Sequence, residues 1–144
     1  MTISKDLFLA ILSMDSYHRG YQAGIAGLRG TGQKVGSATI GYQSQNSLDP
    51  DPADPEFISG FYAVTYSIDG AAPTGLGGKN VISFRGTDSA NDYTAGWSVG
   101  GGFVQFNQAQ QALDFFADAT GNSYKDGAAD DFILTGHSLG GGLA

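Results

Sequence analysis

The chain has 144 residues, 41% of them hydrophobic and 12% aromatic, enough apolar material for one domain that buries roughly two-thirds of its unfolded surface. Its 7 Lys and Arg against 14 Asp and Glu leave a formal net charge of −7, with no basic cluster that could track phosphates, which argues against nucleic acid as a partner. The absence of cysteine rules out a disulfide framework, a thiolate nucleophile and a Cys-ligated zinc within it.

Ser4 is a suitable N-cap, and Leu7, Phe8, Ile11, Leu12 and Met14 recur at helical spacing, so the first element is an amphipathic helix over 5–18. Lys5 ahead of a short apolar run resembles a signal peptide, but Asp6 interrupts the basic region and no small-x-small cleavage site precedes Asp15. No stretch approaches the roughly 20 apolar residues of a membrane span. From Gly20 to Gly41 the chain is glycine-rich and reads as loop, with a short strand at Ala38 to Tyr42. Asp49-Pro50-Asp51-Pro52-Ala53-Asp54-Pro55 is a loop because its prolines exclude helix. Its three carboxylates could hold calcium, but their spacing matches no calcium motif, and a solvated surface turn is the simpler reading.

Phe57 to Ile68 is rich in Ile, Phe, Tyr, Val and Thr and reads as a strand ended by Asp69-Gly70. After a turn at Gly75 to Gly78, a second strand runs from Asn80 to Arg85, and the two are expected to pair antiparallel. Phe103 to Thr120 follows as a helix whose apolar stripe is Phe106, Ala109, Leu113, Phe116 and Ala117. Gly121-Asn122 stops it, and Asp131 to Thr135 is a short apolar strand. Strand, crossover helix and strand make a βαβ unit, and no repeat or linker divides the chain. The expected fold class is therefore α/β, a mixed sheet whose crossover helix leads into the turn that follows the last strand.

That turn is Gly136-His137-Ser138-Leu139-Gly140, a G-x-S-x-G pattern directly after an apolar strand. A serine hydroxyl is a weak nucleophile and must be exposed, fixed in angle and served by a general base. A sharp strand-to-helix turn provides the first two, and its flanking positions must be nearly free of side chain. Gly136 and Gly140 meet that demand, and Ser138 is the candidate nucleophile. His137 points away from its neighbour at such a turn and is read as a support for it, not as the base. His18, in or just after the first helix, is an equally poor base, because it would reverse the usual chain order of nucleophile, acid and histidine.

An oxyanion hole needs N–H donors aimed where charge develops on the carbonyl oxygen, one after the nucleophile and one from a loop following an earlier strand. Leu139 offers the first and Thr87, in Phe84-Arg85-Gly86-Thr87-Asp88, the second. Arg85 and Asp88 are expected to brace that loop.

Phe84-Arg85-Gly86-Thr87 upstream of Gly136-His137-Ser138-Leu139-Gly140-Gly141 resembles the class 3 lipases, the fungal-lipase-like branch of the α/β-hydrolases, over residues 80–144. The resemblance implies Ser138 as nucleophile, the Thr87 and Leu139 amides as oxyanion hole, an ester or lipid substrate with transient contact at a lipid interface, and no cofactor. It also implies a lid after Thr87, where Ser89 to Gly102 carries Tyr93, Trp97 and Val99 among glycines. This stretch lacks the longer charged helix usual in that family, and a structural loop is the alternative.

Ala144 follows Ser138 by six residues, less than two helical turns. Residues 1–144 are therefore expected to be one incomplete domain, inactive alone and completed by a C-terminal part that supplies acid and base. A cysteine-free, acidic, glycine-rich chain of this kind is similar to bacterial lipases exported by a C-terminal signal, with a cytoplasmic setting the alternative. Hydrolysis or transfer of another acyl group, and a non-catalytic binding scaffold, remain open as further readings.

Overall fold

The computed structural model describes residues 3–19, 30–44, 61–71, 75–85, 107–121 and 132–144. Helix α1, Lys5–His18, opens on the expected cap: Ser4 Oγ accepts from the Leu7 amide at 3.2 Å, and Arg19 ends it in an extended conformation. The strands are β1 (Lys34–Val35), β2 (Ala38–Gln43), β3 (Ala63–Ile68), β4 (Asn80–Phe84) and β5 (Phe132–Gly136). Helix α2, Asn107–Thr120, lies between β4 and β5 in the chain, and α3, Leu139–Leu143, follows β5.

The five strands lie in the order β1-β2-β3-β4-β5. The first four form antiparallel pairs, whereas β5 runs parallel to β4 from Asn80 opposite Phe132 to Phe84 opposite Gly136. A parallel neighbour requires a crossover, and the segment containing α2 provides it. The fold is thus α/β with a mixed sheet.

Two stretches differ from the sequence reading. Within the glycine-rich segment expected to be loop, Lys34 and Val35 pair with Thr39 and Ala38 as a hairpin. Gly36 stands at its first turn position with φ 62°, which a two-residue hairpin of this kind requires. Strand β3 begins at Ala63, and residues 57–60 lie outside the described residues.

Alternation along the strands divides the core into two layers. On one face α1 lays Phe8 and Leu12 over Ala38, Ile40, Val64, Tyr66 and Val81. On the other, Ala112 and Phe115 of α2 cover Phe61, Ala63, Ile82 and Phe84, with Leu143 of α3 at the margin. Each buried large apolar side chain contributes about 1.5–3 kcal/mol.

Both helices bury a face only partly the expected one: of the apolar residues named for α1, Phe8 and Leu12 are buried. In α1, Leu7, Ile11 and Met14 are exposed while Ser13, Asp15, Ser16 and Arg19 are buried. In α2, Leu113 is exposed and Gln108, Ala112 and Phe115 are the buried positions, so the stripe is rotated from the expected one. Phe115 sets that rotation by packing edge-on against Phe61 and Phe84. Phe106 of the expected stripe lies outside the described residues. No helix among the described residues is long and apolar enough to cross a membrane.

Candidate functional site

Strand β5 ends at Gly136, and three residues later the chain is already helical. The reversal is accomplished at Ser138, whose φ of 56° and ψ of −124° make it the one non-glycine residue with positive φ among the described residues. Such a conformation costs an L-residue on the order of 1–3 kcal/mol and persists only where the surroundings impose it. The first turn of α3 does so: the Gly140 amide donates to the His137 carbonyl at 3.0 Å and the Gly141 amide to the Ser138 carbonyl at 2.9 Å. Ser138 itself is exposed.

The two flanking glycines are sterically required. A Cβ on Gly136 would collide with the Gly140 carbonyl, and one on Gly140 would collide with the Phe84 carbonyl and come within 2.8 Å of that of Arg85. The start of α3 therefore rests directly on the end of β4. As the first residue of α3, Leu139 has an amide with no acceptor inside its own helix. Thr87, Gly86, Asp88 and the stretch 89–102, with Tyr93, Trp97 and Val99, lie outside the described residues, as does the acidic loop 49–55. Among the described residues no group of three or more His, Asp or Glu could hold a metal ion.

His137 is exposed at its edge and packs its ring against Tyr17 of α1, with centroids 5.0 Å apart and planes at 63°. His18 is the last residue of α1, and its side chain lies outside the described residues. Arg85 is buried: its amide donates to the Tyr62 carbonyl at 2.9 Å, Nη1 donates to the Arg19 carbonyl at 3.2 Å, and its guanidinium lies 5.4 Å from the Tyr62 ring centroid.

Sequence reasoning missed the polar face of α1 that underlies this region. Ser13 Oγ and Thr135 Oγ1, on β5, are 2.7 Å apart. Ser16 Oγ donates to the Ser13 carbonyl at 2.9 Å and lies 2.8 Å from Ser83 Oγ of β4, which also reaches the Leu12 carbonyl at 3.5 Å. Asp15 Oδ2 accepts from Arg19 Nε at 2.7 Å and from the Tyr66 hydroxyl at 2.6 Å. The Tyr62 hydroxyl donates to Gln43 Oε1 at 3.0 Å. Burial, and then the Asp15 charge and hydrogen bond, push Tyr66 well above the usual tyrosine pKa, so its hydroxyl remains a donor. Burial alone would lower the Arg19 pKa, but Asp15 and the tyrosines outweigh it and raise it. The available sequence signal was the Asp15–Arg19 spacing of i, i+4, which places opposite charges side by side on a helix.

Over residues 9–144 the chain matches the family described as phospholipase-like, the Tle-like phospholipase domain. It is also 32% identical over 141 residues to an extracellular phospholipase A1 of Serratia liquefaciens. That alignment covers 96% of this chain and 36% of the relative, so the chain spans little more than a third of the length of the protein it matches.

Proposed function

The chain belongs to the Tle-like phospholipase domain family, and from that premise we propose that it carries the nucleophile and oxyanion half of a serine carboxylic ester hydrolase acting on phospholipid esters. The observation that carries the reading is Ser138 held at positive φ between β5 and α3, with Gly140 seated on the end of β4. That arrangement presents one hydroxyl to solvent at the end of β4, the strand from which the chain continues to Thr87. It is what nucleophilic attack on an ester requires, and it favours the α/β-hydrolase fold of class 3 lipase kind.

In the reaction, Ser138 Oγ bonds to the ester carbonyl carbon while its proton passes to a general base. The charge on the carbonyl oxygen is met by the amides of Leu139 and Thr87. Collapse breaks the bond to the alcohol, which leaves with the proton, and water then releases the fatty acid from Ser138. The base is a histidine and its partner an acid that follow Ser138 in the intact protein, in the chain order of this fold. The name of the Serratia relative speaks for a phospholipid substrate and an extracellular setting, and both belong to this proposal.

The test is fluorophosphonate labelling of the intact protein together with fatty-acid release from phosphatidylcholine vesicles. Labelling maps to Ser138, and Ser138→Ala loses both labelling and release. Label retained by that variant overturns the assignment. A matched triacylglycerol emulsion separates phospholipase from general lipase activity.

A further inference from the structure

We propose that the last turn of α1 is a positioning element for the reaction, fixing the nucleophile turn and Arg85 at the end of β4 relative to each other through Tyr17 and Arg19. The inference rests on the reading of Ser138 as nucleophile.

Two contacts leave this one helical turn toward the two halves of the site. Tyr17 meets His137, the residue before Ser138, at a centroid distance of 5.0 Å. The Arg19 carbonyl accepts from Arg85 Nη1 at 3.2 Å, and Arg85 stands two residues before Thr87. The turn that makes both contacts is itself fixed. Arg19 is locked to Asp15, and Asp15 to Tyr66 in the middle of the sheet. One turn earlier, Ser16 and Ser13 bond to Ser83 and Thr135, one on each of the two parallel strands that deliver the site. A rotation or slide of α1 would therefore shift His137 and Arg85 together. Tyr17 acts through His137 and Arg19 through Arg85.

Displacing a reacting group by about 1 Å can cost on the order of 100-fold in rate, so the effect should appear in turnover and not in substrate binding. The experiment uses the intact protein, with active sites titrated by a fluorophosphonate so that turnover is expressed per competent Ser138. Tyr17→Ala and Arg85→Met are expected to lower kcat per titrated site by roughly 10- to 100-fold with KM nearly unchanged, and to weaken binding of a boronic acid, a tetrahedral mimic, by the same factor. Tyr17→Phe, which keeps the ring, restores turnover, and Met14→Ala, on the exposed side of the same helix, leaves it untouched. In the double variant with His137→Ala, the Tyr17→Ala loss is not additive. A fall in the number of titratable sites or in Tm, with kcat per site unchanged, would show a merely structural role and overturn the proposal. Labelling that survives Ser138→Ala instead removes the nucleophile assignment, and this inference with it.

Discussion

At Ser138 the backbone stores strain that any side chain would feel. Alanine and serine share the penalty because both carry a Cβ at φ 56°, whereas glycine does not. Ser138→Gly is therefore expected to be more stable than Ser138→Ala by about 1 kcal/mol, the strain relieved less the extra entropy of glycine in the unfolded chain. Equal melting midpoints for the two variants would mean that the turn is unstrained. The neighbouring glycines make a sharper pair. Gly140→Ala drives a methyl into the Phe84 carbonyl, while a Cβ on Gly142 meets nothing within 4 Å. The first substitution should destabilise by about 1–3 kcal/mol or more and abolish labelling. The second should stabilise α3 by about 0.5–1 kcal/mol, as expected for replacing a helical glycine. Denaturant unfolding of both variants checks the contrast. This part of the molecule was legible in the sequence because the constraint is local: a strand, a turn and a helix in succession dictate where side chains must be absent.

Helix α1 shows where legibility stopped. Its boundaries and cap follow from Ser4 and the apolar spacing, as does the burial of Phe8 and Leu12, but the rest of the buried face does not. Leu7, Ile11 and Met14 remain exposed, and Ser13, Asp15, Ser16 and Arg19 go inside because each of the latter finds a polar partner. Most of those partners come from distant strands: Ser13 bonds to Thr135 across 122 residues of chain and Ser16 to Ser83 across 67. A periodicity argument weighs only the helix itself, so it assigns polar residues to water unless the partners are already known. The Asp15–Arg19 pair, with side chains 1% and 5% exposed, permits a graded prediction. Arg19→Met leaves a buried carboxylate without its cation and should cost about 3–5 kcal/mol. Ser13→Ala removes one neutral hydrogen bond and should cost about 1 kcal/mol. Similar losses from the two would mean that Asp15 regains solvent when its partner is removed.

Across the whole molecule, the antiparallel β3–β4 pair was readable from two runs of β-forming residues, and the parallel β4–β5 pair from the helix between them. The hairpin of β1 was not, since two residues inside a glycine-rich stretch carry no periodicity to detect. Stability as a function of pH is also a property of the assembled molecule, for it depends on Tyr66 of the central strand β3 meeting Asp15 of α1. Because burial and Asp15 raise the Tyr66 pKa in the folded state, the contribution is complete below the unfolded tyrosine value of about 10. Above it the unfolded chain releases a proton that the folded chain retains, so the unfolded state binds fewer protons and stability falls as pH rises. Tyr66→Phe should cost about 1.5–3 kcal/mol near neutrality, the worth of a hydrogen bond to a charged group. The deficit should then shrink above about pH 10, by up to ~1.4 kcal/mol per pH unit, since the variant has no proton to lose at that position. Urea unfolding of both proteins between pH 8 and 11 measures the difference directly, and the titrations of other groups cancel in it. Parallel curves would place the Tyr66 hydroxyl in contact with water and detach the central strand from the polar face of α1.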